Sequence, residues 1–145
     1  MDALNRLMRD EGFMTHAYRC PAGKTTIGYG RNIDRDGGKG VTRAEATTML
    51  MNDIRECEAD LRDVVFGPMM WDSFGGVRQN AFINMRLNLG PTGFRSFKKM
   101  VASARRRAWP MVAHHAEDSA WRWQVKGRAE RIIEELRSGV DLEDG

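Results

Sequence analysis

Three residues near the amino terminus have types that do chemistry together in enzymes. Glu11, Cys20 and Thr26 bring a carboxyl, a thiol and a hydroxyl into one short stretch, "RDEGFMTHAYRCPAGKTTIGYGRN", which closes on a Gly-Tyr-Gly turn. Apolar Phe13 and Tyr18 lie near Glu11 in sequence. Loss of water favours the neutral form of a carboxyl. A neutral carboxyl can hand its proton to a leaving group, which is the general acid's task in glycoside cleavage. Most glutamates are nevertheless solvated at the surface, and spacing alone leaves that reading ahead. Cys20 also has two readings. A thiol is mostly neutral at pH 7 and acts as a base or a charge only as thiolate, which needs a positive neighbour such as Arg19 or Lys24. Most free cysteines are small packing residues.

The elements around these residues follow from pattern. Residues 2–10 read as a short helix with Leu4, Leu7 and Met8 on one face, Asp2 as its cap and Gly12 as its stop. Glu11 then falls in the last turn, where the helix dipole disfavours an anion. Residues 16–34 carry short aromatic and β-branched runs split by "CPAGK", so a small antiparallel sheet with a turn at Pro21 and Gly23 is expected. "DRDGGKG" is a loop. Thr42 opens a long helix with Glu45 as the partner in a capping box. Its expected apolar face is Met49, Leu50, Ile54, Cys57, Leu61 and Val64, and Gly67-Pro68 ends it. Beyond it the chain reads as all helix: a central segment at 77–90, then 94–105, 108–116 and 128–137, with turns at Gly90-Pro91, Arg107 and Gly127. Phe94, Phe97, Trp121, Trp123 and the methionines at 49, 51, 69, 70, 85, 100 and 111 read as packing residues. Asn84, on a mostly apolar helix, reads as satisfying buried backbone.

The expected fold class is α+β: a small amino-terminal lobe with a β-hairpin or sheet, a long connecting helix, and a helical carboxy-terminal lobe. A cleft between the lobes is the natural site. Residues 1–140 are expected to form one domain of two lobes, and residues 141–145, "DLEDG", an acidic tail. The chain has 145 residues with 41% hydrophobic and 30% charged residues, enough for a real core and a well-solvated surface. Its net charge is +3, and removing the tail's three acids, Asp141, Glu143 and Asp144, would raise it to +6. A mildly basic body suits a polyanionic partner, although charge alone does not select one. The run "ARRRAW" at 104–109 is either a solvated helix end or a point of attraction for anionic wall polymers or lipid headgroups. No apolar run approaches a membrane span, and the charged amino terminus is not a secretory signal. Two cysteines and three histidines lack metal spacing, so neither a metal nor a cofactor is expected. Cys57 fits the apolar face of its helix, and both thiols are expected to stay reduced in the cytosol.

The segment from Glu11 through Cys20 to "TIGYG" resembles the phage lysozyme (endolysin) family, glycoside hydrolase family 24. Members carry Glu, then Asp or Cys, then Thr opening a T-I-G-x-G hairpin, at this spacing. "GVTRAEATTMLMNDI" looks like the family's following helix, and "QNAFINMRLNLGPTGFRSF" like its buried central helix and the turn beyond. "SAWRWQVKGRAERIIEELRSG" resembles its carboxy-terminal segment. Nearly all of residues 1–140 is covered, in order. The resemblance implies a lysozyme-like fold and cleavage of the β-1,4 bond between N-acetylmuramic acid and N-acetylglucosamine in peptidoglycan. Glu11 would be the general acid, with Cys20 and Thr26 holding water on the opposite face of the sugar. That arrangement inverts the anomeric centre and needs about 6.5–9.5 Å between the groups. It also implies that Asn32, Leu87, Asn88 and His115 touch sugar, and that Arg128 pairs with the acid or faces the cleft. The expected partner is bacterial peptidoglycan, with no nucleic acid and no stable membrane insertion, for a monomer made in the host cytoplasm. A free endolysin without an export signal would reach the wall through a holin-type pore.

Two rivals stand beside this reading. A lytic transglycosylase would cleave the same bond without water and leave 1,6-anhydro ends; Cys20 and Thr26, both suited to holding water, argue against it. A non-catalytic basic helical module that binds nucleic acid has only Arg105–Arg107 and the pI of 9.1 in its favour, and no nucleic-acid motif is present.

Overall fold

Asp2 caps the first helix, α1 (Ala3–Glu11), by accepting the amide proton of Asn5 at 2.9 Å, and Gly12 ends it. The computed structural model describes residues 2–142. It forms two compact units that part inside the second helix, between Met49 and Leu50.

In the first unit, α1 leads into a three-stranded antiparallel sheet of order β1-β2-β3: β1 (Met14–Arg19), β2 (Thr25–Gly28) and β3 (Arg31–Asn32). Tyr18 pairs with Thr26, and Thr26 with Asn32, so these three side chains share one face of the sheet. A bulge between Met14 and Tyr18 shifts the register of β1. The Pro21 and Gly23 turn is as expected: Gly23 N–H donates to the Cys20 carbonyl at 2.8 Å and Cys20 N–H to that of Lys24 at 2.9 Å. The capping box also forms. The Glu45 amide donates to Thr42 Oγ1 at 3.1 Å and the Thr42 amide to Glu45 Oε1 at 2.9 Å, just ahead of α2 (Arg43–Asp60). Arg31 on β3 reaches the same carboxylate at 2.8 Å and the Gly40 carbonyl at 3.1 Å, tying sheet, loop and helix start together.

The second unit is helical. The tail of α2 buries Cys57, then rewinds into a π-helical segment, Leu61–Phe66. This corrects the expected face. The wider π turn moves the buried stripe one residue on, so Val65 and Phe66 go inside while Val64 stays 66% exposed. Met49 and Leu50 are exposed as well. The chain continues through α3 (Pro68–Ser73), α4 (Gly76–Arg95), α5 (Lys98–Arg105), α6 (Trp109–Glu117), α7 (Ala120–Val125) and α8 (Gly127–Ser138). α3 and α7 are short and were not visible in the pattern. α4 breaks at Gly90, whose backbone is not helical, immediately before Pro91. The expected helix at 94–105 is two pieces, because Ser96 and Phe97 form a turn before α5. The last turn falls on Lys126, at φ 45°, and Gly127 already belongs to α8.

The core lies in this unit. Phe66, Trp71, Phe74, Phe82, Phe94 and Trp109 form one aromatic cluster, with Phe82 touching each of the others at ring separations of 5.1 to 6.5 Å. Met85, Met100, Phe94 and Trp121 are buried as expected. Met49, Met51, Met69 and Met111 are instead exposed, and so is Trp123, whose ring lies under the Arg122 guanidinium at 4.6 Å. Arg86 is buried and donates to Asp60 at 2.9 Å; Arg95 pairs with the same carboxylate. Of the expected acidic tail, residues 143–145 lie outside the described residues. Asp141 lines a cavity of about 330 Å³ with Val77, Asn80, Asn84 and Glu135.

Candidate active site

The sheet and α1 position the first set of site residues. Cys20 follows β1 and opens the tight turn, where its sulfur faces the backbone amides. The amides of Lys24 and Ala22 and the hydroxyl of Thr26 hold the thiol below its ordinary pKa. The cause is therefore dipolar. Arg19 is spent on the Gly23 carbonyl at 3.1 Å and Lys24 on the Asp36 carbonyl at 3.4 Å, so neither of the expected cations supplies the effect. Both cysteines are free thiols. Thr26 is buried, at 4% exposure, and its hydroxyl donates to the Lys24 carbonyl at 2.9 Å. The same hydroxyl also reaches the Cys20 sulfur, so the Lys24 carbonyl and the thiolate compete for its one proton.

Glu11 closes α1. It is exposed, the placement that spacing alone favoured, and Phe13 packs its ring on Tyr29 at 5.2 Å. The carboxylate has a definite resting place all the same. It lies over Gly30, in the turn between β2 and β3, where a Cβ would sit 2.5 Å from Glu11 Oε2. A side chain at position 30 would push the carboxylate aside, and Gly30 also has a φ of 74°. The sequence shows the Gly-Tyr-Gly turn but not that its last residue is the floor under the acid. Asn32, the cross-strand partner of Thr26, uses Oδ1 to accept the Asp34 amide at 2.9 Å, and its amide hydrogens have no partner among the described residues.

The second set lies in the helical unit. Leu87 is half-buried on α4 and Asn88 is exposed beside it. Asn88 Oδ1 accepts the indole N–H of Trp121 at 2.8 Å, so this side chain also braces the core. Arg128 is held by Asn84, donating from Nε and Nη2 to Oδ1 at 2.9 and 2.6 Å. Asn84 thus orients a guanidinium and does not serve buried backbone as expected. Among the described residues, Nη1 of Arg128 has no hydrogen-bond partner. His115 is half-buried and lines a cavity of about 530 Å³ with Ser96, Lys99, His114, Asp118 and Ser119 among its walls. Among the described residues, no group of three or more His, Cys, Asp or Glu is placed to hold a metal ion.

Comparison with known proteins gives a consistent result. The phage lysozyme family matches residues 8–137. The pre-baseplate central spike protein Gp5 of Enterobacteria phage T4 is 27% identical over an alignment that covers 96% of this chain and 28% of that protein. An endolysin of Acyrthosiphon pisum secondary endosymbiont phage 1 is 30% identical, covering 61% of this chain and 57% of its own length. A probable T4-type lysozyme of Dictyostelium discoideum is 20% identical, covering 79% and 67%. The chain therefore spans just over a quarter of the spike protein and little more than half of the endolysin. With a family match over nearly its whole length and the fold that goes with it, this chain belongs to the phage lysozyme family.

Proposed function

We propose that the protein lyses peptidoglycan as a muramidase, cleaving the β-1,4 bond between N-acetylmuramic acid and N-acetylglucosamine. Glu11 protonates the glycosidic oxygen as general acid. Thr26 and Cys20 hold a water on the opposite face of the sugar, and the thiolate form of Cys20 takes the water's proton as it attacks. Cleavage then inverts the anomeric centre and needs no covalent intermediate. The observation that carries this reading is the polarised thiol beside the buried Thr26 hydroxyl, in the same small unit as a carboxylate resting on Gly30. The lowered pKa favours the thiolate that this role requires.

Residues 1–140 act in this reading as one lysozyme-like domain. Asn32 and Asn88 present amide hydrogens to N-acetyl carbonyls, Leu87 packs on a sugar face, and His115 and Arg128 bind polar groups of the substrate. The test is turbidity loss of purified peptidoglycan, with analysis of the products. Wild type should clear the suspension and release reducing ends whose anomeric configuration, followed by NMR, is inverted. Glu11→Gln should be inactive yet folded. Retained activity in that variant would refute the role of Glu11, and 1,6-anhydro ends would replace hydrolysis with transglycosylation.

A further inference from the structure

From Ser73 to Ala116 the chain contains no aspartate or glutamate, yet it carries Arg78, Arg86, Arg95, Lys98, Lys99, Arg105, Arg106 and Arg107. Some of these have structural partners. Arg86 and Arg95 share Asp60, and Arg78 donates to the carbonyls of Leu136 and Arg137. Arg105 reaches the Val65 carbonyl and Arg107 the Ser73 hydroxyl. The helix dipole also accounts for arginines at the carboxy-terminal end of α5. It does not account for Lys98 and Lys99. They sit in the first turn of that helix, where the dipole opposes them, and no acidic residue stands in that turn.

The cations border apolar surface. Arg95, Lys98 and Arg105 rim a groove of about 280 Å³ whose floor is Val64, Val65, Val101 and Ala102. Next along the π segment, Arg107 borders a second cavity, of about 340 Å³, formed by Phe66, Gly67, Pro68, Met69 and Met70. Val64 is 66% exposed and Met69 88%. A partner that answers only the charges, such as a nucleic acid or a wall polyanion, gains nothing from valine and methionine at the surface. A bilayer carrying anionic headgroups answers both features, because its phosphates meet the cations and its acyl region receives the apolar side chains. No helix among the described residues is long and apolar enough to cross a membrane, so the contact is peripheral.

We propose that this face, α5 together with the π segment and the start of α3, docks on the surface of an anionic phospholipid bilayer. The inference is independent of the muramidase reading, since it uses none of that reading's residues to do chemistry. The experiment is co-sedimentation of the full chain with phosphatidylcholine vesicles, with and without phosphatidylglycerol. Partitioning should be at least about tenfold stronger onto the phosphatidylglycerol vesicles and should weaken as salt rises. Lys98→Gln/Lys99→Gln should remove most of that preference. Val64→Ser/Met69→Ser should weaken vesicle binding several-fold while leaving binding to soluble polyphosphate and clearing of purified peptidoglycan unchanged; both positions are exposed, and a thermal melt checks that the fold is kept. Equal partitioning onto neutral and anionic vesicles, or no partitioning, would overturn the proposal. So would full vesicle binding by the Val64→Ser/Met69→Ser variant, which would make the face a general polyanion site.

Discussion

At the scale of single residues, the chemistry rests on how little space and charge are involved. In the proposed mechanism the resting place of the Glu11 carboxylate is open because residue 30 has no methyl group. Gly30→Ala would place a Cβ against the Glu11 carboxylate, and it would also strain the left-handed backbone by about 1–2 kcal/mol. Displacing a proton donor by about 1 Å can cost about a hundredfold in rate. Gly30→Ala is therefore expected to lose about that much clearing activity while its circular dichroism stays native, and a turbidity assay beside a spectrum reads both. For Cys20, the turn amides and the Thr26 hydroxyl lower the pKa, so the thiolate persists to lower pH than in a free cysteine. Alkylation by iodoacetamide, followed against pH, should show a midpoint below that of a model thiol. Thr26→Val removes one donor and should move the midpoint up. In the activity assay, Cys20→Asp should remain active and Cys20→Ala should lose most activity; a harmless alanine would return Cys20 to a packing role.

At the scale of elements, the sheet and the start of α2 are joined through one carboxylate. Glu45 serves the capping box and Arg31 together, and its pKa falls from an ordinary 4.5 to about 2, with the Arg31 hydrogen bond as the largest cause. The sign follows from linkage. A carboxylate with a depressed folded pKa contributes stability that is fully present above 4.5 and is lost as pH falls through about 2. Glu45→Gln should lower the melting temperature near neutral pH, and the gap from wild type should close between these two values. Thermal unfolding across that range checks it, and a gap that stays constant with pH would remove the ion pair as the cause. The capping box itself was legible because it depends on residues three apart. The π segment was not. A regular period placed Val64 inside, and the packing of Leu61, Val65 and Phe66 decided otherwise.

At the scale of the molecule, stability is concentrated in the helical unit, where Phe82 is completely buried among other aromatic rings. Phe82→Ala should cost about 3–5 kcal/mol. Asp60→Ala should cost a similar amount, about 3–5 kcal/mol, because it leaves the buried Arg86 guanidinium without its carboxylate. Urea unfolding measures both. A loss under about 1 kcal/mol at Asp60 would mean that the Arg86 contact to Cys57 Sγ and solvent suffice.

What the sequence determined by itself is what short range controls. Asp2 and Gly12 bound α1, Pro21 and Gly23 make the turn, Thr42 and Glu45 open α2, and Gly90 with Pro91 breaks α4. Each is a contact or a backbone preference within a few residues. The tertiary structure decided the rest. It turned Asn84 toward Arg128, spent Asn88 on Trp121, left Trp123 and Met69 in solvent, and set the Glu11 carboxylate on Gly30. Those outcomes join residues from different elements, and composition and period contain no information about which distant neighbours compete for the same space.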